Sequence, residues 1–182
     1  MTVLIVGGGF LGAELARQGH AADRQTAATF HSHPGGIAGV TWHRFEVRNP
    51  ASTGEILDAV SPTAVVNASS GGAEWVVTAD GGMRLAQAAA ERGNRLVHVS
   101  SDAVFSDRRR DQYDEMCLPD PVTPYGAAKA AAETAVRLLS DGAVVAPSKH
   151  SPGQLPAPHV CLIAALFDSD WTSEDTVPAL LA

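Results

Sequence analysis

One stretch near the N-terminus constrains the fold most strongly. Val3-Leu4-Ile5-Val6 is an apolar run typical of a strand buried on both faces of a parallel sheet. It leads into Gly7-x-Gly9-x-x-Gly12, and helix-forming residues follow. In such a turn Gly7 permits the sharp change of direction, Gly9 lets a pyrophosphate approach the backbone, and Gly12 lets the helix pack on the strand. Because a helix N-terminus also attracts phosphate groups, the stretch predicts a dinucleotide-binding site.

Composition narrows the class of protein. The 182 residues are 45% hydrophobic and 18% charged, which fits a globular fold with a sizeable core. A formal net charge of −7 argues against a nucleic-acid partner. We find no signal peptide and no apolar run near the roughly 20 residues of a membrane helix, and we therefore expect a cytoplasmic protein. Cys117 and Cys161 are isolated, which predicts free thiols and no metal site.

The chain continues as alternating strands and helices. Apolar patterning predicts strands over 26–30, 40–47, 63–70, 95–101 and 143–146. It predicts helices over 51–60, over 77–92 and from Pro124 onward. Ser52 or Thr53 is the expected cap of the helix over 51–60. This alternation indicates an α/β fold with a Rossmann-like, doubly wound parallel sheet. Ligands of such sheets sit at the carboxyl ends of the strands, where this chain places Asn67, Ser69, Ser100 and Ser101. His98 lies inside a strand, where a packed core histidine is expected.

The end of the second strand bears on the choice of cofactor. About 20 residues beyond the glycines, NAD-binding units place an acid on the ribose 2′-hydroxyl. No acid stands there; His31 and Ser32 do. A carboxylate would repel a 2′-phosphate, so its absence favours NADP(H) over NAD(H), with His31 and Ser32 as candidate phosphate partners. The same loop carries His31-x-His33, for which solvated side chains are expected rather than a metal pair.

A second informative stretch is Thr123-Pro124-Tyr125-Gly126-Ala127-Ala128-Lys129. Thr123 can cap a helix and Pro124 suits its first position. Tyr125 and Lys129 then lie one turn apart on the same face. The usual pKa of a tyrosine is about 10, so proton exchange near neutral pH needs help. A lysine ammonium and the positive end of a helix both stabilise the phenolate. The spacing predicts a proton-transfer pair.

With these residues the chain resembles the extended short-chain dehydrogenase/reductases, and among them the dTDP-4-dehydrorhamnose reductase group of sugar-nucleotide enzymes. The resemblance covers about residues 1–146. It rests on four segments: Gly7-Gly8-Gly9-Phe10-Leu11-Gly12, Val66-Asn67-Ala68-Ser69, Val97-His98-Val99-Ser100-Ser101-Asp102-Ala103-Val104-Phe105 and Pro121-Val122-Thr123-Pro124-Tyr125-Gly126-Ala127-Ala128-Lys129.

The resemblance implies hydride transfer from a nicotinamide to the keto group of a nucleotide-linked 4-keto-6-deoxysugar. Tyr125 would donate the proton, Lys129 would assist it and hold the nicotinamide ribose, and Ser101 would orient the carbonyl. Ser101 and Asp102 would contact the substrate. The residues implied to line the cofactor are Gly9, Phe10, Leu11, Glu46, Val47, Ser70, Gly71, Gly72, Tyr125 and Lys129, in addition to Gly7, Gly12, His31, Ser32, Asn67 and Ser69.

The C-terminal part departs from this resemblance. Residues 147–158 are rich in Pro, Ser and His, and residues 159–167 and 173–181 predict one more strand and a short helix. We therefore expect a nucleotide-binding domain over 1–146 and a divergent tail over 147–182, with the family's substrate lobe missing or vestigial, as after C-terminal truncation.

Two alternatives to a reductase stay open: a non-catalytic NADP-binding regulatory or scaffold protein, and a nonfunctional fragment. The sequence leaves the sugar and the oligomeric state undetermined.

Overall fold

Strands and helices alternate along the chain, as the apolar pattern predicts. The computed structural model describes residues 1–106 and 117–146. The strands are β1 (Thr2–Val6), β2 (Gln25–Phe30), β3 (Thr41–Arg44), β4 (Ala64–Asn67), β5 (Arg95–Val99) and β6 (Val144–Ala146). The helices are α1 (Phe10–Ala21), α2 (Pro50–Val60), α3 (Gly81–Glu91) and α4 (Pro124–Leu139), with a π-helical segment at Val76–Asp80 and a 3-10 helix at Asp102–Val104.

The strands form one six-stranded sheet in the order β3-β2-β1-β4-β5-β6. Every neighbouring pair runs parallel. This is the strand order of a doubly wound Rossmann fold, and it confirms the predicted fold class. The order reverses between β1 and β4, so the loops after these two strands flank the crevice where such folds bind ligands. The expectation that the substrate lobe is missing or vestigial concerns residues outside the described ranges, as do the predicted strand over 159–167 and the predicted helix over 173–181.

The hydrophobic core has two layers, one on each face of the sheet. Alternate residues of β1 divide between them: Val3 and Ile5 pack with Leu15 of α1 on one face. Leu4 and Val6 pack on the other face with residues of α2, α3 and α4. Strands covered on both faces must be apolar throughout, which explains the continuous run in β1.

Several predicted boundaries need correction. β3 ends at Arg44 rather than Val47, since the backbone turns at Glu46, whose carbonyl accepts from the Asn49 amide at 3.0 Å. The cap of α2 is Asn49, whose side chain accepts from the Ala51 amide, and not Ser52 or Thr53. β4 ends at Asn67 rather than at residue 70.

The helix predicted over 77–92 is not a regular α-helix. Its first part, Val76–Asp80, is π-helical, and α3 continues directly from it. A π-turn contains one residue more than an α-turn, and single π-turns within helices are frequent at functional sites. The position of this one, beside the loop that follows β4, is described below.

Candidate functional site at the carboxyl edge of the sheet

The glycine turn after β1 has the geometry that the sequence predicts. Gly7 adopts φ +107°, and a Cβ at this position would lie 2.7 Å from the Cα of Ser69. The loops after β1 and β4 therefore touch at the point where the strand order reverses. The Gly7 amide donates to Thr29 Oγ1 at 2.9 Å, which ties the turn to β2. Only glycine fits both this φ and this approach.

The other two glycines differ in their surroundings. A Cβ on Gly12 would clash with the carbonyl of Gly7, so Gly12 allows α1 to pack against the strand end. A Cβ on Gly9 would meet nothing within 4 Å. Gly9 caps α1 through its backbone, and no side chain occupies the capping position. The space beside Gly9 at the start of α1 is therefore open, which fits the approach of a phosphate group.

A charged cluster follows β2 and β3. His31 Nε2 lies 2.9 Å from Glu46 Oε2, and His31 Nδ1 lies 3.0 Å from Ser32 Oγ. Arg48 binds Glu46 and forms two 2.8 Å hydrogen bonds with Glu74. The backbone amide and side chain of Arg48 hold the pKa of Glu46 below its ordinary value. The sequence places no acid next to His31 at the end of β2, but the fold brings the carboxylate of Glu46, 15 positions away along the chain, into contact with it.

The loop after β4 is fixed from beneath by two buried side chains. Asn67, 2% exposed, accepts from the amide and the hydroxyl of Ser69 at 3.1 and 2.6 Å. Thr78, in the π-helical segment, accepts from the Gly71 amide and donates to the Gly72 carbonyl. Asn67 thus lies under the loop, while Ser70 and Gly72 are exposed on it. The role of Thr78 is not visible in the sequence, since only the helix fold brings it to Gly71.

His98 is a core histidine, as predicted. It is 1% exposed, and its Nδ1 lies 3.0 Å from Asn67 Nδ2. An amide nitrogen can only donate, so Nδ1 accepts and the neutral ring carries its proton on Nε2. Burial, followed by the charge of Lys129, lowers the pKa of His98 to about 3. The ring is therefore neutral at physiological pH.

Ser101 lies at the carboxyl end of β5 but is buried. It is 1% exposed, accepts from the Ala103 amide at 3.2 Å and donates to Asp102 Oδ1 at 3.2 Å. Its hydroxyl thereby caps the 3-10 helix. Asp102 itself is exposed. Of the two residues predicted to contact substrate, Asp102 lies at the surface and Ser101 lies beneath it.

Tyr125 and Lys129 lie on the first turns of α4. Thr123 caps the helix by accepting from the Gly126 amide at 3.0 Å, and Pro124 occupies the first turn, as predicted. Tyr125 is partly buried, whereas Lys129 is 3% exposed and donates from Nζ to the Val99 carbonyl at 2.9 Å. Burial lowers the pKa of Lys129 to about 8, against the opposing charge of Glu133.

The tyrosine helix closely approaches the 3-10 helix that follows β5. A Cβ on Gly126 would collide with the carbonyl oxygen of Ala103. Gly126 directly follows Tyr125, and Ala103 lies two residues after Ser101. The absence of a side chain at position 126 therefore lets the two segments that carry the predicted site residues lie against each other.

Phe10, Leu11 and Val47 complete the set of predicted cofactor residues. Phe10 begins α1 and is 72% exposed, and Leu11 packs partly against the core. Val47 lies beside the π-helical segment, close to Gly81. Residues 1–106 and 117–146 contain no group of three or more side chains that could hold a metal ion, and none of their helices is long and apolar enough to cross a membrane.

Comparison with known proteins places the chain in a family. The family described as "RmlD substrate binding domain" matches residues 1–147. The chain belongs to this RmlD family. A curated relative, a dTDP-4-keto-6-deoxy-D-glucose reductase from Streptomyces niveus, is 32% identical over 121 residues. A dTDP-4-dehydrorhamnose reductase from Aggregatibacter actinomycetemcomitans is 24% identical over 119 residues. Both alignments cover 60% of this chain and 42% and 40% of the relatives, so the chain matches about two fifths of their length.

Solved structures share the fold of this RmlD-family chain. A dTDP-4-dehydrorhamnose reductase from Bacillus anthracis in complex with NADP superposes with a TM-score of 0.69 at 20% identity, covering 92% of this chain and 61% of that one. A UDP-glucose 4-epimerase from Thermus thermophilus in complex with NAD gives a TM-score of 0.73 at 23% identity, covering 90% and 60%. At these identities the likeness establishes the Rossmann-like fold alone.

Proposed function

We propose that this RmlD-family chain is an NAD(P)H-dependent reductase that acts on the keto group of a nucleotide-linked 4-keto-6-deoxysugar and prefers NADP(H). One observation carries the proposal: the glycine turn after β1 and the Tyr125–Lys129 turn of α4 both lie at the carboxyl edge of one parallel sheet. The names of the two curated relatives support the substrate class. We assign nucleotide binding to residues 1–146 as one domain and leave residues 147–182 as a separate tail.

The residues at this edge fit a dinucleotide. The open space at Gly9 and the α1 N-terminus suit its pyrophosphate, because unpaired amides and the positive helix end favour an anion. Gly7, Phe10, Leu11 and Gly12 surround that position, and the loop of Ser70, Gly71 and Gly72 lies across from it. His31 and Ser32 would meet a 2′-phosphate, with the carboxylate of Glu46 beside His31 and Val47 toward the base. Ser69 and the buried Asn67 shape the loop. When bound, the reduced nicotinamide supplies a hydride.

Tyr125 would supply the proton that completes the reduction. As the carbonyl carbon gains a hydride, its oxygen gains negative charge and takes the phenolic proton of Tyr125. The ammonium of Lys129 stabilises the phenolate that is left, because it lies one turn away on the same helix face. With a pKa of about 8, Lys129 is largely charged at pH 7. One N–H of this ammonium binds Val99, and the others are free to bind a ribose hydroxyl.

The assay that tests this proposal follows NADPH oxidation with a dTDP-4-keto-6-deoxysugar. Tyr125→Phe should lower turnover by about 100-fold or more, the usual contribution of a proton donor, with NADPH binding retained. Gly9→Ala should weaken NADPH binding without loss of stability. Gly54→Ala in α2 is the matched control: only the side chain of Arg92 is near it, and binding should be unchanged. Turnover by Tyr125→Phe equal to that of the unsubstituted chain would contradict the assigned role.

One observation favours a second function. In this alternative the chain binds NADP(H) as a regulatory or scaffold protein and catalyses no reaction. The hydroxyl of Ser101, expected to orient a carbonyl, is buried and caps the 3-10 helix. Under this alternative NADPH binds to the unsubstituted chain, but no keto sugar is reduced at any substrate concentration. The same assay therefore separates the two functions.

A further inference from the structure

Glu133 is a buried carboxyl group that the proposed reaction does not use. It lies on α4, one turn after Lys129, and is 4% exposed. It accepts a short hydrogen bond from the hydroxyl of Ser100, and its Oε2 lies 3.3 Å from Arg137. A carboxylate at this depth requires compensation, and Ser100 and Arg137 provide part of it.

The buried ionisable groups of the described residues all lie in this one place. They are Lys129, Glu133 and His98. His98 on β5 is neutral, as shown above. Among the described residues, no buried residue of α3 or of the π-helical segment is charged. The charges facing Lys129 inside the protein therefore reduce to Glu133, with Arg137 on the outer side of Glu133.

An isolated ammonium is costly to bury, and an opposite charge nearby reduces that cost. Lys129 has one fixed partner, the Val99 carbonyl. Ser100 follows Val99 in the sequence and donates to Glu133. Ser101, a predicted site residue, comes directly after Ser100. Through these contacts Glu133 touches the segment of β5 that leads to the predicted site. Its position one turn from Lys129 on α4, with both side chains buried, brings an opposite charge near the ammonium and favours its charged form.

We propose that Glu133 is a positioning residue: its charge keeps Lys129 in the ammonium form near neutral pH, and its hydrogen bond with Ser100 fixes the carboxyl end of β5. The value of this arrangement for catalysis rests on the proposed function, but the arrangement itself does not. It makes Lys129 an ammonium that is both buried and charged at the pH where Tyr125 would exchange its proton.

The charge of Lys129 can be followed directly by NMR, because the chain has only two lysines, Lys129 and Lys149. Lysine labelled with carbon-13 at Cε therefore gives two NMR signals, and Lys149→Arg assigns them. Titration of the full chain from pH 6 to 11 follows the charge of Lys129 without any cofactor or substrate. The signal of Lys129 should titrate well below that of Lys149.

Two variants separate charge from hydrogen bonding. Glu133→Gln keeps an acceptor for Ser100 and removes the charge, so the midpoint of Lys129 should fall by about 1 pH unit. Ser100→Ala keeps the charge and removes the hydrogen bond, so the midpoint should stay near that of the unsubstituted chain. A midpoint that is unchanged or higher in Glu133→Gln, or that falls as far in Ser100→Ala, overturns the proposal.

A third variant covers the case in which Glu133→Gln does not fold. Arg137 has a half-exposed side chain, so Arg137→Gln should be tolerated. It removes the cation paired with Glu133, and the midpoint of Lys129 should rise. A fall would overturn the proposal. Failure of the proposed function would look different: the midpoints would shift as stated, but the unsubstituted chain would not oxidise NADPH with any keto sugar.

Discussion

The ammonium of Lys129 donates a hydrogen bond to the carbonyl of Val99, with 2.9 Å between Nζ and oxygen. This contact joins α4 to the carboxyl end of β5 from within the core. It places the charge of Lys129 beneath the turn that carries Tyr125, rather than in solvent. A side chain that sequence spacing identifies only as a neighbour of the tyrosine is thus also a link between helix and sheet.

The burial of Lys129 should make stability depend on pH in the alkaline range. Its pKa is about 8 in the folded chain and 10.5 in the reference state. Between these values the unfolded chain binds more protons, so the free energy of unfolding rises as pH increases from about 8 to about 10.5. Lys129→Met should remove this contribution, which amounts to about 3 kcal/mol at most. Urea unfolding of both chains at pH 7 and pH 10 measures the difference; parallel pH profiles would contradict it.

His98 should make the fold sensitive to acid. Its pKa is about 3 in the folded chain and 6.5 in the reference state, so the unfolded chain binds more protons between these values. The free energy of unfolding therefore falls as pH decreases from about 6.5 toward 3. His98→Gln offers Asn67 an acceptor that does not titrate. As the pH decreases over that range, the free energy of unfolding of this variant should fall by about 4 kcal/mol less than that of the unsubstituted chain. Chemical unfolding at a series of pH values measures both. His20→Gln, an exposed substitution, serves as the control.

Gly126→Ala should separate the tyrosine helix from the 3-10 helix that follows β5. The added methyl group would collide with the Ala103 carbonyl, a backbone atom that cannot rotate away. We expect a loss of about 2 kcal/mol in the free energy of unfolding, together with weakened activity or cofactor binding beyond what the lost stability explains. Ala127→Gly, the next position on the helix, tests the effect of helix propensity alone. Unfolding by denaturant and NADPH titration are the measurements.

Cofactor preference should respond to the acid beside His31. We expect the chain to bind NADPH more tightly than NADH. Glu46→Gln removes a carboxylate that lies 2.9 Å from His31 and would repel a 2′-phosphate, so the preference should increase by about 2- to 5-fold. His31→Gln should decrease it. Fluorescence titrations with both nucleotides give the ratio, and equal affinities for the two in the unsubstituted chain would refute the 2′-phosphate argument.

Much of the fold follows from local signals in the sequence. The continuous apolar run predicts β1, Gly7 and Gly12 predict the tight turn and the packing of α1, and Thr123–Pro124 predicts the start of α4. The structure confirms each of these local features. The π-helical segment was not predictable, because an inserted residue leaves no mark in an alanine- and valine-rich helix. The cap of α2 was misplaced since Asn49 stands before Pro50 and reads equally well as part of a loop.

The site is less visible than the fold in the sequence, because its contacts join distant positions. Glu46 reaches His31, and Thr78 reaches Gly71, only once the sheet is assembled. Glu133 does carry a local signal, since Lys129-x-x-x-Glu133 continues the spacing of Tyr125-x-x-x-Lys129. Its burial could not be inferred, because a lysine and a glutamate one turn apart are usually a solvated surface pair.

The π-turn at Val76–Asp80 acts as a spacer between two surfaces of one helix. Within the turn, Thr78 holds the Gly71–Gly72 backbone; after the turn, Leu85 packs in the core. Each residue of an α-helix turns the chain by about 100°. With one residue fewer, Thr78 and Leu85 would be rotated relative to each other by that angle, and only one of them could keep its contacts. The irregular turn thus allows one helix both to pack in the core and to hydrogen-bond the loop at the crevice.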